Sequence, residues 1–229
     1  MEVVAVCLED TLEEDKFERL LSYVSTEKRG RINRFLRHED AERALIGDIL
    51  TRSLICRRLE IKNRELIFGI NEYGKPFLMN DEDIQFNISH SGKWVTCSLD
   101  YLPVGIDVEQ VKPIDMNIAA RFFSKLEWKD LLSKSILERE TYFYDLWTLK
   151  ESYIKAVGKG LSIPLDSFSI RIHEEDIWFH SLCEPNNYYF KQYYIDRNYK
   201  MAVCSMNNEF PRDLGIIDSD KLCEEALLL

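Results

Sequence analysis

The sequence predicts an α+β protein of two related halves, each a small sheet packed with helices. Segments with helical spacing give way to short alternating strands, and that order is met twice along the chain. Pro103 breaks the chain between the two runs, which places the halves at 1–102 and 103–229. The direct sign of a duplication is short: GKWVTCS (92–98) is similar to YKMAVCS (199–205).

The elements follow in order. Residues 2–8 read as a strand. Leu12, Phe17, Leu20, Leu21 and Val24 have helical spacing over 12–24, and Ser25 is a natural N-cap for a helix through Leu36. Asp40 is expected to cap a longer helix to about Leu59, with Ala44, Leu45, Ile49 and Leu50 facing inward. Short strands near 66–70, 84–88 and 94–99 are separated by glycine and polar turns. After Pro103 comes a strand over Val104–Glu109. Ser124-x-x-Glu127 then forms a capping box before a short helix. A longer helix covers roughly 138–157 and stops at Gly158 and Gly160, as a left-handed terminus requires. Strands near 167–172, 177–180, 188–195 and 199–205 complete the reading.

At 229 residues, 45% hydrophobic and 31% charged, the composition is globular and sufficient for a real core. The net charge of −10 argues against a general nucleic-acid binder. One basic stretch stands out, with Lys28, Arg29, Arg31, Arg34, Arg37 and His38; a solvated helix face is the ordinary reading of such a run. The six cysteines (7, 56, 97, 183, 204 and 223) are widely spaced without a C-x-x-C pair, as expected of reduced thiols in a cytosolic protein. The start, MEVVAVCLED, has no basic leader or long apolar run, and no segment has eighteen consecutive apolar residues. A cytoplasmic protein without signal peptide or membrane span is expected.

The chemistry concentrates in two segments, GIDVE (105–109) and WTLKESYIKAVGKG (147–160). Asp107 and Glu109 alternate with Ile106 and Val108, so both acids face one side of a strand. Glu151 and Lys155 are four apart and share one face of a helix, with Trp147 one turn earlier. Three oxygen-donor acids suit a hard cation and the adjacent lysine suits a phosphate, which points to phosphate chemistry on a metal-bound substrate. For the bare residues, a solvated strand face and an intrahelical Glu151–Lys155 pair are the competing reading. Lys150 lies about 100° around the helix from Glu151, at the pocket edge or in solvent. Ser89 and His90 sit in the polar turn NISHSG, and Lys75 in a Gly-Lys-Pro turn. Trp147, Phe122, Phe123 and Trp128 read as core or pocket wall.

GIDVE followed by WTLKESYIKA resembles the signature of the 4′-phosphopantetheinyl transferases. EYGKPF (72–77), FNISHSGKW (86–94), RFFSKLEW (121–128) and GKGLSIPLDSFSI (158–170) are similar to the surfactin-synthetase-activating branch of that family, in the same order. The resemblance spans about residues 20–210. It implies transfer of the 4′-phosphopantetheine arm of coenzyme A to a serine of apo peptidyl or acyl carrier domains, with release of adenosine 3′,5′-bisphosphate. It further implies a monomer with pseudo-two-fold halves and the coenzyme between them. Mg²⁺ is expected on Asp107, Glu109 and Glu151, with Mn²⁺ as the alternative ion. Glu151 and Lys155 are the expected catalytic pair, Glu151 as base either directly or through a water. Lys28, Arg31, Arg43, Lys75, Ser89, His90 and Lys155 are expected to hold the coenzyme, with His90, Lys28 and Arg31 at its 3′-phosphate, Arg43 nearby and Lys155 at its α-phosphate. Arg31 stands where lysine is expected and Ala44 where threonine is expected. The carrier is expected to dock on Val111–Ser124, through Ile114, Met116 and Ile118. A non-catalytic carrier or acyl-coenzyme A binding module would need neither the third acid nor Lys155, and a Mg²⁺-dependent nucleotide hydrolase would need no docking surface.

Overall fold

A computed structural model describes residues 1–174, 176–181 and 187–226. The first half contains strand β1 (Glu2–Cys7), helices α1 (Glu14–Leu21), α2 (Thr26–Ile32) and α3 (His38–Leu59), and strands β2 (Phe68–Ile70), β3 (Pro76–Leu78), β4 (Gln85–Ser91) and β5 (Trp94–Asp100). The second opens with β6 (Val104–Gln110), followed by helices α4 (Asn117–Phe122), α5 (Lys125–Ser133) and α6 (Ile136–Val157). Strands β7 (Phe168–His173), β8 (Asp176–Ser181), β9 (Tyr189–Gln192) and β10 (Tyr199–Ser205) come next, then β11 (Gly215–Asp218) and α7 (Ser219–Ala226).

The two halves repeat one plan. In the first, β5 pairs antiparallel with β1 on one side and β4 on the other; in the second, β10 pairs antiparallel with β6 and β9. Each sheet packs a 22-residue helix, α3 or α6, on its face. The similar heptapeptides 92–98 and 199–205 therefore fall on equivalent central strands. Leu45, Ile49 and Leu50 of α3 are fully buried against the first sheet, whereas Ala44 is only partly so.

Several boundaries differ from expectation for local reasons. Asp40 is not the cap of α3: the helix starts two residues earlier, Arg37 is the N-cap, and Asp40 sits in the acidic first turn, where it suits the helix dipole. Ser25 does cap α2, accepting from the Lys28 amide, and Ser124 and Glu127 form the expected capping box. Gly158 closes α6 in the left-handed region at φ 76°. β2 falls within the strand expected near 66–70, whereas its partner β3 and the β11–α7 ending have too little periodicity to be read in advance. β11 runs parallel to β1, so residues 215–226 pack on the first sheet, with Leu222, Cys223 and Ala226 in its core.

Among the described residues no helix is long and apolar enough to cross a membrane. Cys56, Cys97, Cys204 and Cys223 are buried free thiols and Cys7 is half-buried; Cys183 lies outside the described residues.

Candidate functional site

The halves meet along β4 and β6, joined by side chains in place of a backbone ladder. In β6 alternate N–H groups point away from its partner β10. Asn87 Oδ1 accepts from the Ile106 amide at 2.9 Å, Ser89 Oγ from Val108 at 3.3 Å and Ser91 Oγ from Gln110 at 3.1 Å. The two serines also donate to the acids of the same strand, Ser89 to Asp107 Oδ1 at 2.9 Å and Ser91 to Glu109 Oε2 at 2.8 Å. The alternation Asn-x-Ser-x-Ser on β4 thus matches Asp-x-Glu on β6 two residues at a time.

Over this seam lies α6, and Gly105 sets its distance. A Cβ at position 105 would stand 2.0 Å from the Ser152 carbonyl oxygen and 2.3 Å from the Ala156 nitrogen, so only glycine lets helix and strand approach so closely. That approach brings Glu151 and Lys155 to Asp107. Lys155 Nζ donates to Asp107 Oδ1 at 2.6 Å and to Ser89 Oγ at 3.0 Å. Asp107 is 3% exposed, and its Oδ2 is buried without a hydrogen-bond partner.

The acids are mutually unfavourable. Burial first, then the Asp107 charge, pushes the Glu109 carboxyl up; Ser91 and Lys155 oppose this, and Glu151 adds to it. Burial and then Asp107 likewise raise Glu151, against Lys155. Three partly dehydrated carboxylates facing one ammonium leave negative charge that a hard cation would neutralise, and the orphaned Asp107 oxygen fits such a donor set. Among the described residues no group of three His, Cys, Asp or Glu side chains is poised to enclose a metal ion; Lys155 holds the charge position on Asp107.

The remaining expected ligands fall into separate groups. Lys28 and Arg31 line a cleft of ≈ 290 Å³ with Thr51, Phe68, Phe86 and Ile88. Within it Lys28 lies 3.4 Å from Asp48, and Arg31 pairs with Glu27 at 2.8 Å. His90 is exposed at the end of β4. Crowding by the protein, then Arg43 and Lys155, hold its pKa below the ordinary value. Arg43 is taken up by Asp40 and by the Gly92 carbonyl, which ties α3 to the β4–β5 turn. Lys75 turns inward: its ammonium donates to the Val104 and Ala156 carbonyls, each at 3.2 Å, and burial lowers its pKa to about 8. Its side chain thus tethers the β2–β3 hairpin to the end of α6.

Lys150 reaches neither pocket edge nor solvent. It is fully buried and donates to both oxygens of Glu127 at 2.6 and 2.8 Å and to the Phe168 carbonyl at 3.0 Å. Trp147 stacks on Phe143 with ring centres 5.5 Å apart, part of the aromatic wall expected of it. In Val111–Ser124, Ile114 and Met116 pack against the Phe123–Phe143 cluster, and Ile118 is the exposed apolar side chain at 37%. Sequence motifs alone do not single out Asn87 and Ser91; their signal is the period of two that sets them opposite the β6 acids.

Two family descriptions match the chain: 4′-phosphopantetheinyl transferase, N-terminal, over residues 11–100, and the 4′-phosphopantetheinyl transferase superfamily over 103–204. The chain is 45% identical to the 4′-phosphopantetheinyl transferase Sfp of Bacillus subtilis, over 97% of its own length and 100% of that protein's. It is 40% identical to the 4′-phosphopantetheinyl transferase gsp of Aneurinibacillus migulanus, covering 90% and 86%. A solved holo-[acyl-carrier-protein] synthase of Thermotoga maritima aligns at TM-score 0.39 and 18% identity, covering 45% of this chain and 62% of that one.

Proposed function

This chain belongs to the 4′-phosphopantetheinyl transferase family, and we propose that it acts through Asp107, Glu109, Glu151 and Lys155, gathered where α6 crosses β6. As a member it is a transferase that moves phosphopantetheine from coenzyme A to carrier proteins. The observation that carries the site reading is the Asp107 Oδ2 atom, buried without a partner among like charges.

In this reading the hydroxyl oxygen of the carrier serine bonds to the β-phosphorus of coenzyme A. The bond from that phosphorus to the bridging oxygen breaks, and adenosine 3′,5′-bisphosphate leaves. Mg²⁺ or Mn²⁺ on Asp107, Glu109 and Glu151 would offset pyrophosphate charge. Glu151 takes the serine proton, directly or through a water, and its raised affinity for a proton suits it as a base. Lys155 neutralises charge on the leaving phosphate. Lys28 and Arg31 in their cleft, and Arg43 and His90 beside the β4–β5 turn, are the proposed nucleotide contacts, with Ser89 bonded to both Asp107 and Lys155. Lys75 contributes by fixing the hairpin next to that cleft.

The carrier docks on Val111–Ser124, with Ile118 offered to it. We read the chain as a cytoplasmic monomer whose halves divide at 102/103, close to where the two family matches meet, with residues 215–226 returning to the first half. Intact-mass analysis of an apo carrier incubated with coenzyme A and Mg²⁺ tests the reaction. A carrier heavier by one phosphopantetheine is expected only when all three components are present. Coenzyme A consumed at the same rate without a carrier would instead make the protein a hydrolase.

A further inference from the structure

We propose that Ser91 is a positioning residue, one that aims Glu109 at the bound cation while locking β4 to β6. The inference rests on the reading of Glu109 as a cation ligand.

Ser91 ends β4, one residue before a turn at Gly92. Its oxygen accepts from the Gln110 amide at 3.1 Å, and its proton goes to Glu109 Oε2 at 2.8 Å. An amide donating into the oxygen leaves the hydroxyl proton only outward, and Glu109 receives it. One carboxylate oxygen is thereby fixed and the other is left for a ligand. The fixing matters because Glu109 is half-exposed near the end of its strand and sits beside the like charges of Asp107 and Glu151. The turn behind Ser91 is itself held: a Cβ on Gly92 would stand 2.1 Å from Tyr199 Oη, and Arg43 donates to the Gly92 carbonyl at 2.9 Å. Outer partners of this kind orient the ligand, and their loss typically costs about 10–100-fold in metal affinity.

Asn87 provides the control. It makes the same seam contact, to the Ile106 amide at 2.9 Å, but no acid lies on its side chain. The test is Mn²⁺ affinity, read from the free-ion electron spin resonance signal at saturating coenzyme A, together with the unfolding midpoint. Ser91→Ala is expected to weaken Mn²⁺ about tenfold, and Ser91→Thr, which keeps the hydroxyl, to recover most of that loss. Asn87→Ala should lower the midpoint while leaving Mn²⁺ affinity within about twofold, below the range for loss of an outer partner. Equal losses of affinity in Ser91→Ala and Asn87→Ala would reduce Ser91 to a seam residue and overturn the proposal, as would unchanged affinity in Ser91→Ala. If Ser91→Ala does not fold, Ser91→Cys against Ser91→Thr carries the same comparison. Glu109→Gln separates the two layers: lost affinity there with none lost in Ser91→Ala sinks only the positioning role. Unchanged affinity in Glu109→Gln sinks the metal reading, and the proposal with it.

Discussion

Helix α6 carries two lysines, five residues apart, each 2.6 Å from a carboxylate, and the two pairs are opposites. Lys150 and Glu127 are both fully buried, and every donor and acceptor is used. The three Lys150 protons have three acceptors, and Glu127 also receives the Ser124 and Ile170 amides. Lys155 is 27% exposed, and its partner Asp107 keeps a buried oxygen with nothing to bond. Around Lys155 stand two further acids that burial and mutual repulsion disfavour. The first pair belongs to the scaffold, joining α5, α6 and β7. The second is incomplete by itself and would be balanced by a cationic ligand, as the proposed site requires. A short ion pair therefore says little until its remaining lone pairs are counted.

The sharpest break is at the satisfied pair. Lys150→Met leaves Glu127 buried and uncompensated, and should cost about 3–5 kcal/mol in urea unfolding. The folded remainder should keep its coenzyme A KM. A loss under 1 kcal/mol would mean the pair is not structural.

Glu151→Gln should act in the reverse sense. Turnover should fall by roughly 10²–10³-fold, the scale for one lost electrostatic group, with coenzyme A binding largely retained. The unfolding midpoint should rise, because a carboxylate that the fold holds in an unfavourable place is gone. Near-normal turnover at saturating Mg²⁺ would remove Glu151 from the site.

The same asymmetry fixes a pH dependence. Glu109 and Glu151 take up protons more readily folded than unfolded, so between those two values the native state holds the extra protons. Their contribution to stability therefore falls as pH rises through that window. Cation affinity runs the other way, lost on acidification as the acids protonate. Titrating Mn²⁺ affinity and unfolding midpoint together from neutral to mildly acid pH should show affinity falling, with a gain in stability that is absent from the Glu109→Gln/Glu151→Gln variant.

His90→Ala probes the rim. The wild type should prefer coenzyme A over its 3′-dephospho form by about 1.5–3 kcal/mol if the contact is charge-assisted, and the variant should lose much of that preference. Equal losses for both substrates would make His90 structural. The smallest effect belongs to the docking segment. Ile118→Asp should raise apparent carrier KM with coenzyme A affinity unchanged, whereas Met116→Asp, in the packed cluster, should cost stability first. An unchanged carrier KM in Ile118→Asp would put the docking face elsewhere.

What the sequence revealed were features that repeat over short distances. The period of two in GIDVE and the four-residue step from Glu151 to Lys155 locate three acids and a lysine without knowledge of the tertiary structure. Capping residues Ser25, Ser124 and Gly158 were equally readable, because a cap is satisfied within three or four residues. Lys150 was ambiguous because its helical angle alone cannot show that Glu127, on another helix, waits for it. The family resemblance and the proline-fixed turn make Lys75 an expected ligand; that it buries itself against Val104 and Ala156 depends on a hairpin packing on a distant helix end. The β4–β6 seam had a visible pattern on each strand and no local sign that the strands are neighbours.

The parallel pairing of β1 with β11, Val4 beside Gly215, has a consequence for how the chain is born. Domains usually fold as they emerge from the ribosome, earlier parts first. Here the opening strand waits for a neighbour made more than two hundred residues later, and the core waits equally long for Leu222 and Cys223. Until then β1 presents an unpaired strand edge on that side, the kind of surface that invites pairing with other chains. Completion of the first half thus waits until residues 215–226 have been made. Shortening the chain before residue 215 would leave that edge of β1 unpaired and remove Leu222, Cys223 and Ala226 from the first core, although every residue of the proposed site had already been made.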